Sequence, residues 1–149
     1  MILPDFKDFS KDGRIVGIDW GARRTGVAVS DESRDFVFVR PVVLADGNDD
    51  LVKKIASIIN TEHATGVVIG LPLRIDGTDS DTTKMVRVFA DSLSQIIDIP
   101  ICLLDETLSS ASAQESMGRV RRVDIKQNLD SQSARVILEN AIAMIKRIK

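Results

Sequence analysis

The sequence predicts a mixed α/β fold, a five-stranded sheet with three antiparallel and then parallel strands, flanked by helices. Three observations carry that expectation. Residues 14–43 hold three strand-like runs joined by short links, and short links make antiparallel neighbours. Two later runs, GVVIGL at 66–71 and IPICLL at 99–104, are apolar almost throughout, as strands covered on both faces are. Each of these follows a stretch of helical periodicity, so both join the sheet through right-handed crossovers.

Taken in order, residues 1–13 read as a short extension carrying Phe6 and Phe9, whose packing the sequence leaves open. Residues 14–149 read as a single domain. RIVGIDWGARRTGVAVSD, from Arg14, is a hairpin with a short turn. Period-2 alternation puts Asp19 on one face with Ile15 and Gly17, and Trp20 on the other with Val16 and Ile18. On that reading Trp20 is a core residue. FVFVRPVV, residues 36–43, is a third strand, and Pro41 suits an edge or a strand end. Asp46-Gly47-Asn48 is a turn with a helix cap. Leu51, Val52, Ile55, Ile58 and Ile59 form one helical stripe.

The strand at 66–71 ends in Gly70-Leu71-Pro72, and Asp76-Gly77 turns the following loop. A helix over 79–97 directs Met85, Val88, Phe89, Leu93, Ile96 and Ile97 inward. The strand at 99–104 ends at Asp105-Glu106, and a helix follows over 109–117. GRVRR forms a basic loop over 118–122. Asp124 to Gln127 has the form of a capping box opening the last helix, whose apolar face is Ala134, Ile137, Leu138, Ala141 and Ile145. Asp130 lies one turn before Ala134 on that stripe.

Composition narrows the chemistry. The chain has 149 residues, 44% hydrophobic and 28% charged, with a formal charge of −2, so a uniformly basic nucleic-acid binder is excluded. Cys102 and His63 are single, which excludes an internal disulfide and a Cys/His zinc site. Cys102 belongs to a core strand and His63 to a helix end or loop. No stretch approaches the ~18 apolar residues of a membrane span, and the first residues lack a signal-peptide pattern. The expected compartment is the cytoplasm.

The acids carry the functional reading. A carboxylate inside an apolar strand is costly unless paired, hydrogen-bonded or metal-bound, and Asp19 is such a residue. Parallel α/β sheets gather function at the carboxyl ends of strands. Asp19, Glu106 and Asp130 suit that location, with Asp105 the competing neighbour of Glu106 and Asp124 a plain helix cap. Oxygen ligands without histidine or cysteine suit Mg²⁺ or Mn²⁺. One or two such ions would activate water against a phosphodiester and let an acidic protein approach a polyanion.

Four blocks in order, GIDWGARRTGVAVSD, VVIGLPLRIDGT with VRVFADSL, DETLSS and LDSQSARVIL, make the chain similar to the YqgF/RuvX family. These proteins are described as Holliday-junction-resolvase-like and as candidate pre-16S rRNA nucleases. The resemblance spans nearly everything after residue 13. It implies an RNase H-like fold with strand order 3-2-1-4-5 and an acidic triad at Asp19, Glu106 and Asp130. It further implies divalent-metal phosphodiester hydrolysis, with 5′-end processing of pre-16S rRNA in ribosome maturation as the role. One position departs: the family carries Arg after the Glu of the third block, as in DERLTT, where this chain has Thr107.

Arginine suits phosphate because its fork donates two parallel hydrogen bonds. Arg24, which falls on the family's Arg, and Arg23 occupy the first turn. Arg119, Arg121 and Arg122 cluster in the basic loop, and Arg74 and Lys84 flank the 73–81 loop. These are the candidate substrate contacts, and Arg24 or the basic loop would replace the charge missing at Thr107. The expected partners are an rRNA precursor or branched nucleic acid and ribosomal particles, with the protein a monomer or weak homodimer. Competing readings are a Holliday-junction resolvase, which needs a two-fold dimer, and a nucleic-acid-binding protein with weak or lost catalysis. An actin-like ATPase ranks last, because the chain is short and has no GxxxxGK[ST] loop.

Overall fold

The computed structural model describes residues 1–106 and 122–148, with side chains from 131 onward in the second segment. The expected helix over 109–117, the loop over 118–121 and the side chains of Arg122, Asp124 and Asp130 lie outside the described residues.

The elements are β1 (Ile2–Leu3), β2 (Ile15–Asp19), β3 (Arg24–Ser30), β4 (Val37–Leu44), α1 (Asn48–Glu62), β5 (Gly66–Leu71), α2 (Asp81–Ser94), β6 (Ile101–Asp105) and α3 (Arg122–Ile148). The sheet order is β1-β6-β5-β2-β3-β4. β2, β3 and β4 pair antiparallel, while β5 and β6 run parallel to β2. Without β1 this is the expected order.

The sheet has six strands rather than five because the amino-terminal extension folds onto it. Ile2 and Leu3 pair in parallel with Ile101 and Cys102, and the Ile101 N–H donates to Met1 O at 2.8 Å. An open strand edge presents unpaired backbone groups, and the extension satisfies them. Phe6 and Phe9 are each 2% exposed and meet edge to face at 5.1 Å. The extension is tied down again by Arg34, a buried residue at φ 62°. Its Nε donates to Gly13 O at 2.8 Å and its Nη2 to Asp12 O at 3.0 Å.

Two apolar cores lie on opposite faces of the sheet. One gathers Val16, Ile18, Val67 and Ile69 against α1 and α2. The other gathers Ile15, Ala28, Val68 and Cys102 against α3, Phe6 and Phe9. The α3 stripe of Ala134, Ile137, Leu138, Ala141 and Ile145 is buried as expected. That of α2 agrees in part, with Phe89, Leu93 and Ile97 buried as expected. Thr83, Val86, Phe89, Ala90 and Leu93 face the core, whereas Met85, Val88 and Ile96 are more than half exposed. A helix buries one stripe, and here the 83/86/90/93 ridge wins because Thr83 is anchored. The Ser80 N–H donates to Thr83 Oγ1 and the Thr83 N–H to Ser80 Oγ, a capping box. The Thr83 hydroxyl also donates to Pro72 O, tying α2 to the end of β5.

Two other caps differ from expectation. Gly47, at φ 109°, is the N-cap of α1 and supplies no side-chain bond. Helix α3 already includes Arg122, so Asp124 to Gln127 falls inside the helix rather than ahead of it. His63 caps the C-terminus of α1 in the left-handed region.

α3 lies unusually close to β2. A Cβ at Gly17 would stand 2.7 Å from Leu138 Cβ and 3.1 Å from Ala134 O. Gly17→Ala therefore overpacks this contact and is expected to cost about 1–3 kcal/mol. Urea unfolding should show a lower midpoint with an unchanged slope.

Candidate active site

The carboxyl end of the sheet is where the acids meet. Asp19 ends β2 opposite Gly26 and, by alternation with Ile15 and Gly17, belongs to the α3 face. Glu106 stands one residue past β6, and its N–H donates to Leu71 O at 3.2 Å. β5 separates the two strands, so a carboxylate leaving β6 must cross about two strand spacings of ~4.8 Å to face one on β2. Gly70 makes that crossing possible. It follows the Ile18–Ile69 pairing, level with Asp19, and a Cβ there would stand 2.7 Å from Glu106 Oε2 and 2.5 Å from Ile137 Cδ1.

Glu106 is consequently only 6% exposed. Burial, then the charge of Asp19, then that of Asp105 push its carboxyl up to about 8. Asp105, the neighbouring acid, is exposed and by alternation belongs to the opposite face. Glu106 is thus the one aimed into the space beside Asp19.

Helix α3 brings its amino-terminal end to the same place. Ser131 Oγ donates to Arg40 O at 2.7 Å, and Lys146 Nζ stands 3.3 Å from Asp35. α3 therefore runs antiparallel to β4, which is parallel to β2. Asp130, one turn before Ala134, sits on the backbone nearer the carboxyl end, about 6 Å of helix rise beyond the Gly17 contact. Its side chain is outside the described residues. Among the described residues no group of three His, Cys, Asp or Glu side chains holds a metal position by itself, so the described acid pair is Asp19 and Glu106.

Three candidate arginines lie at this end. Arg23, in the turn after β2, and Arg24, the first residue of β3, are exposed. Buried Thr25 holds that turn, its Oγ1 donating to Gly21 O at 3.3 Å. Arg74 is exposed in the loop after β5, where its N–H donates to Thr78 O at 2.9 Å and Gly77 turns at φ 85°. Arg119, Arg121 and Thr107 lie outside the described residues. Two contributors escape sequence reasoning. Gly70 reads only as a strand terminator, although strand alignment would place it level with Asp19. Arg34 leaves no pattern, because its burial depends on the extension.

This geometry defines a class: an RNase H-like sheet with an acid pair across the carboxyl ends of β2 and β6. Solved structures agree on the fold. T. thermophilus RuvC in complex with a Holliday junction substrate matches at TM-score 0.58 and 11% identity, over 91% of this chain and 96% of that one. The yeast mitochondrial Holliday junction resolvase Ydc2 matches at TM-score 0.55 and 10% identity, over 99% and 82%. The family model described as RuvX: Holliday junction resolvase matches residues 13–144, and the chain belongs to that family. A protein from Maridesulfovibrio salexigens named "Putative pre-16S rRNA nuclease" is 41% identical over 87% of this chain and 98% of its own length. One of the same name from Rickettsia felis is 30% identical over 99% of this chain and 100% of its own.

The raised carboxyl has a stability consequence. Glu106 is protonated in both folded and unfolded chains below its unfolded value of ~4.3, where it costs nothing. As pH rises from there towards about 8, the unfolded chain ionises first and stability is lost. In EDTA, the melting temperature of Glu106→Gln should fall less than that of the wild type between pH 5 and pH 8. Parallel melting curves across that window would refute the assignment.

Proposed function

We propose that the chain is a divalent-metal-dependent nuclease that hydrolyses phosphodiester bonds in 5′-end processing of pre-16S rRNA during ribosome maturation. The observation that carries this reading is the buried Glu106 set across Gly70 from Asp19, on the sheet of a nuclease family. The names of the curated relatives support the substrate. The protein works in the cytoplasm on rRNA precursor, free or in ribosomal particles, as a monomer or weak homodimer. Among the described residues no helix is long and apolar enough to cross a membrane.

The donor set fits Mg²⁺ or Mn²⁺. Asp19 and Glu106 offer only hard oxygens, and a bound cation would offset their mutual repulsion. Asp130 is the proposed third ligand. Bound there, the metal supplies an activated water and stabilisation of the departing oxygen. The chain does the rest. To hold a metal Glu106 would give up its proton, so metal affinity is expected to rise with pH up to about 8. Arg24, Arg23 and Arg74 hold the phosphates beside the acids, with Arg119, Arg121 and Arg122 the further proposed contacts. Thr107 leaves phosphate neutralisation near Glu106 to these arginines.

The family description favours a second reading, a resolvase acting on branched DNA. One experiment separates the readings. A 5′-extended rRNA precursor and a four-way DNA junction are each incubated with the protein in Mg²⁺, Mn²⁺ or EDTA. RNA trimming that needs metal is expected. Asp19→Asn should lower it at least about a hundred-fold, since even outer-shell partners of metal sites cost 10- to 100-fold. Paired incision of the junction alone would favour the resolvase, and tight RNA binding without cleavage would favour a binding protein.

A further inference from the structure

On the α1/α2 side of the sheet, the same end carries a cavity of about 300 Å³. Trp20 and Ala22 of the β2–β3 turn, Asn48 of α1, and Lys84, Met85 and Val88 of α2 line it. Trp20 is half-buried against the core and presents its remaining surface to this space. Met85 and Val88 are 52% and 55% exposed, an apolar rim that nothing in the described chain covers. The Asn48 amide is fixed by donation from its Nδ2 to Ser92 Oγ at 3.1 Å, and Lys84 adds an exposed positive charge.

We propose that this cavity takes one unpaired nucleobase of the bound strand, stacked on Trp20. The inference deepens the nuclease reading and rests on it. Asp19 and Trp20 are consecutive, with Cα atoms about 3.8 Å apart, and they diverge to opposite faces at the lip of the sheet. A strand whose phosphate lies at Asp19 therefore has a neighbouring nucleotide over that lip. An indole face, a thioether and an isopropyl group suit the flat apolar surface of a base, and Lys84 with Arg23 suits the phosphates beside it. A volume near 300 Å³ is at the lower end for small-ligand sites, the right class for one base. Stacking of this kind tolerates any base, so the cavity adds affinity for unpaired strand rather than sequence preference.

The chain has one tryptophan and no tyrosine, so its intrinsic emission reports on Trp20 directly. Full-length Asp19→Asn is titrated in Mg²⁺ with a fluorescein-labelled single-stranded RNA 12-mer, about the length an extended site takes, and with the same 12-mer carrying abasic nucleotides. Anisotropy follows binding and Trp20 emission follows the cavity. The intact oligonucleotide should quench Trp20 as anisotropy saturates, and the abasic one should bind without quenching. Val88→Glu, on the exposed rim, should weaken the intact oligonucleotide about ten-fold, leave the abasic one unchanged and leave the melting temperature unchanged. Equal quenching by both oligonucleotides, equal weakening of both, or no binding at all would overturn the proposal. Saturation without quenching would overturn it too. Loss of the nuclease reading would appear as absent cleavage by the wild type, a readout separate from Trp20 emission.

Discussion

Helix α3 can rest on the sheet only because β2 and β5 present no side chains where it crosses. At Gly17 the space of a Cβ is filled by Leu138 and the Ala134 carbonyl, and at Gly70 by Ile137 and the Glu106 carboxylate. The second case joins packing to chemistry. The gap that admits the helix also admits the acid, so Glu106 reaches over β5 and is buried beneath α3 as it does. Its burial and its closeness to Asp19 have one cause, and the upward displacement of its carboxyl follows from both. Glycine in a strand interior weakens the strand in isolation. Here both glycines sit in strands flanked on each side by others, where ladder bonds and the α3 core offset that weakness.

The end of β2 sorts two kinds of surface by strand alternation alone. Asp19 belongs to the α3 side with Glu106, and Trp20 belongs to the α1/α2 side with an apolar cavity. The turn that follows carries Arg23 and leads into Arg24 at the start of β3, held by the buried hydroxyl of Thr25. The chain as a whole is slightly acidic, at −2, so the positive charge of these arginines is a local feature of this end. The bracing of α2 serves the same end from another direction: Thr83 reaches back to Pro72 and steadies the Arg74 loop.

Much of this is legible in the amino-acid sequence, and what is legible shares a physical basis. GVVIGL is readable to the residue because a strand buried on both faces has no tolerance for polar residues. Asp19 stands out because an acid among apolar strand residues demands a partner. The α3 stripe is readable because it has one apolar face. The α2 stripe is readable only at Phe89, Leu93 and Ile97, because Met85, Val88 and Ile96 make a second apolar ridge, and the Ser80–Thr83 cap and the Pro72 contact choose between them. The extension is opaque for the opposite reason. Two phenylalanines in a polar run carry no period, and their burial depends on the edge of β6 and on Arg34, both distant in sequence. Gly70 is visible as a residue but not as a window, since its role appears only when β2, β5 and β6 are set side by side.

Stability and readiness oppose each other at Glu106. A carboxyl held near 8 spends much of its time neutral at physiological pH, which lets the chain bury it beside Asp19 without two full negative charges in one corner. A carboxyl held at an ordinary value would offer a stronger ligand in the absence of a cation, but the repulsion would then be borne by the fold. Burial and the Asp19 charge thereby defer Glu106 ionisation to higher pH. That is why the corner can be assembled from packing alone, with the glycines, α3 and the Leu71 hydrogen bond setting where the carboxylate waits. The arginines described at this end, Arg23, Arg24 and Arg74, are exposed, so solvent screens their charge and burial beside Asp19 decides where the Glu106 carboxyl ionises.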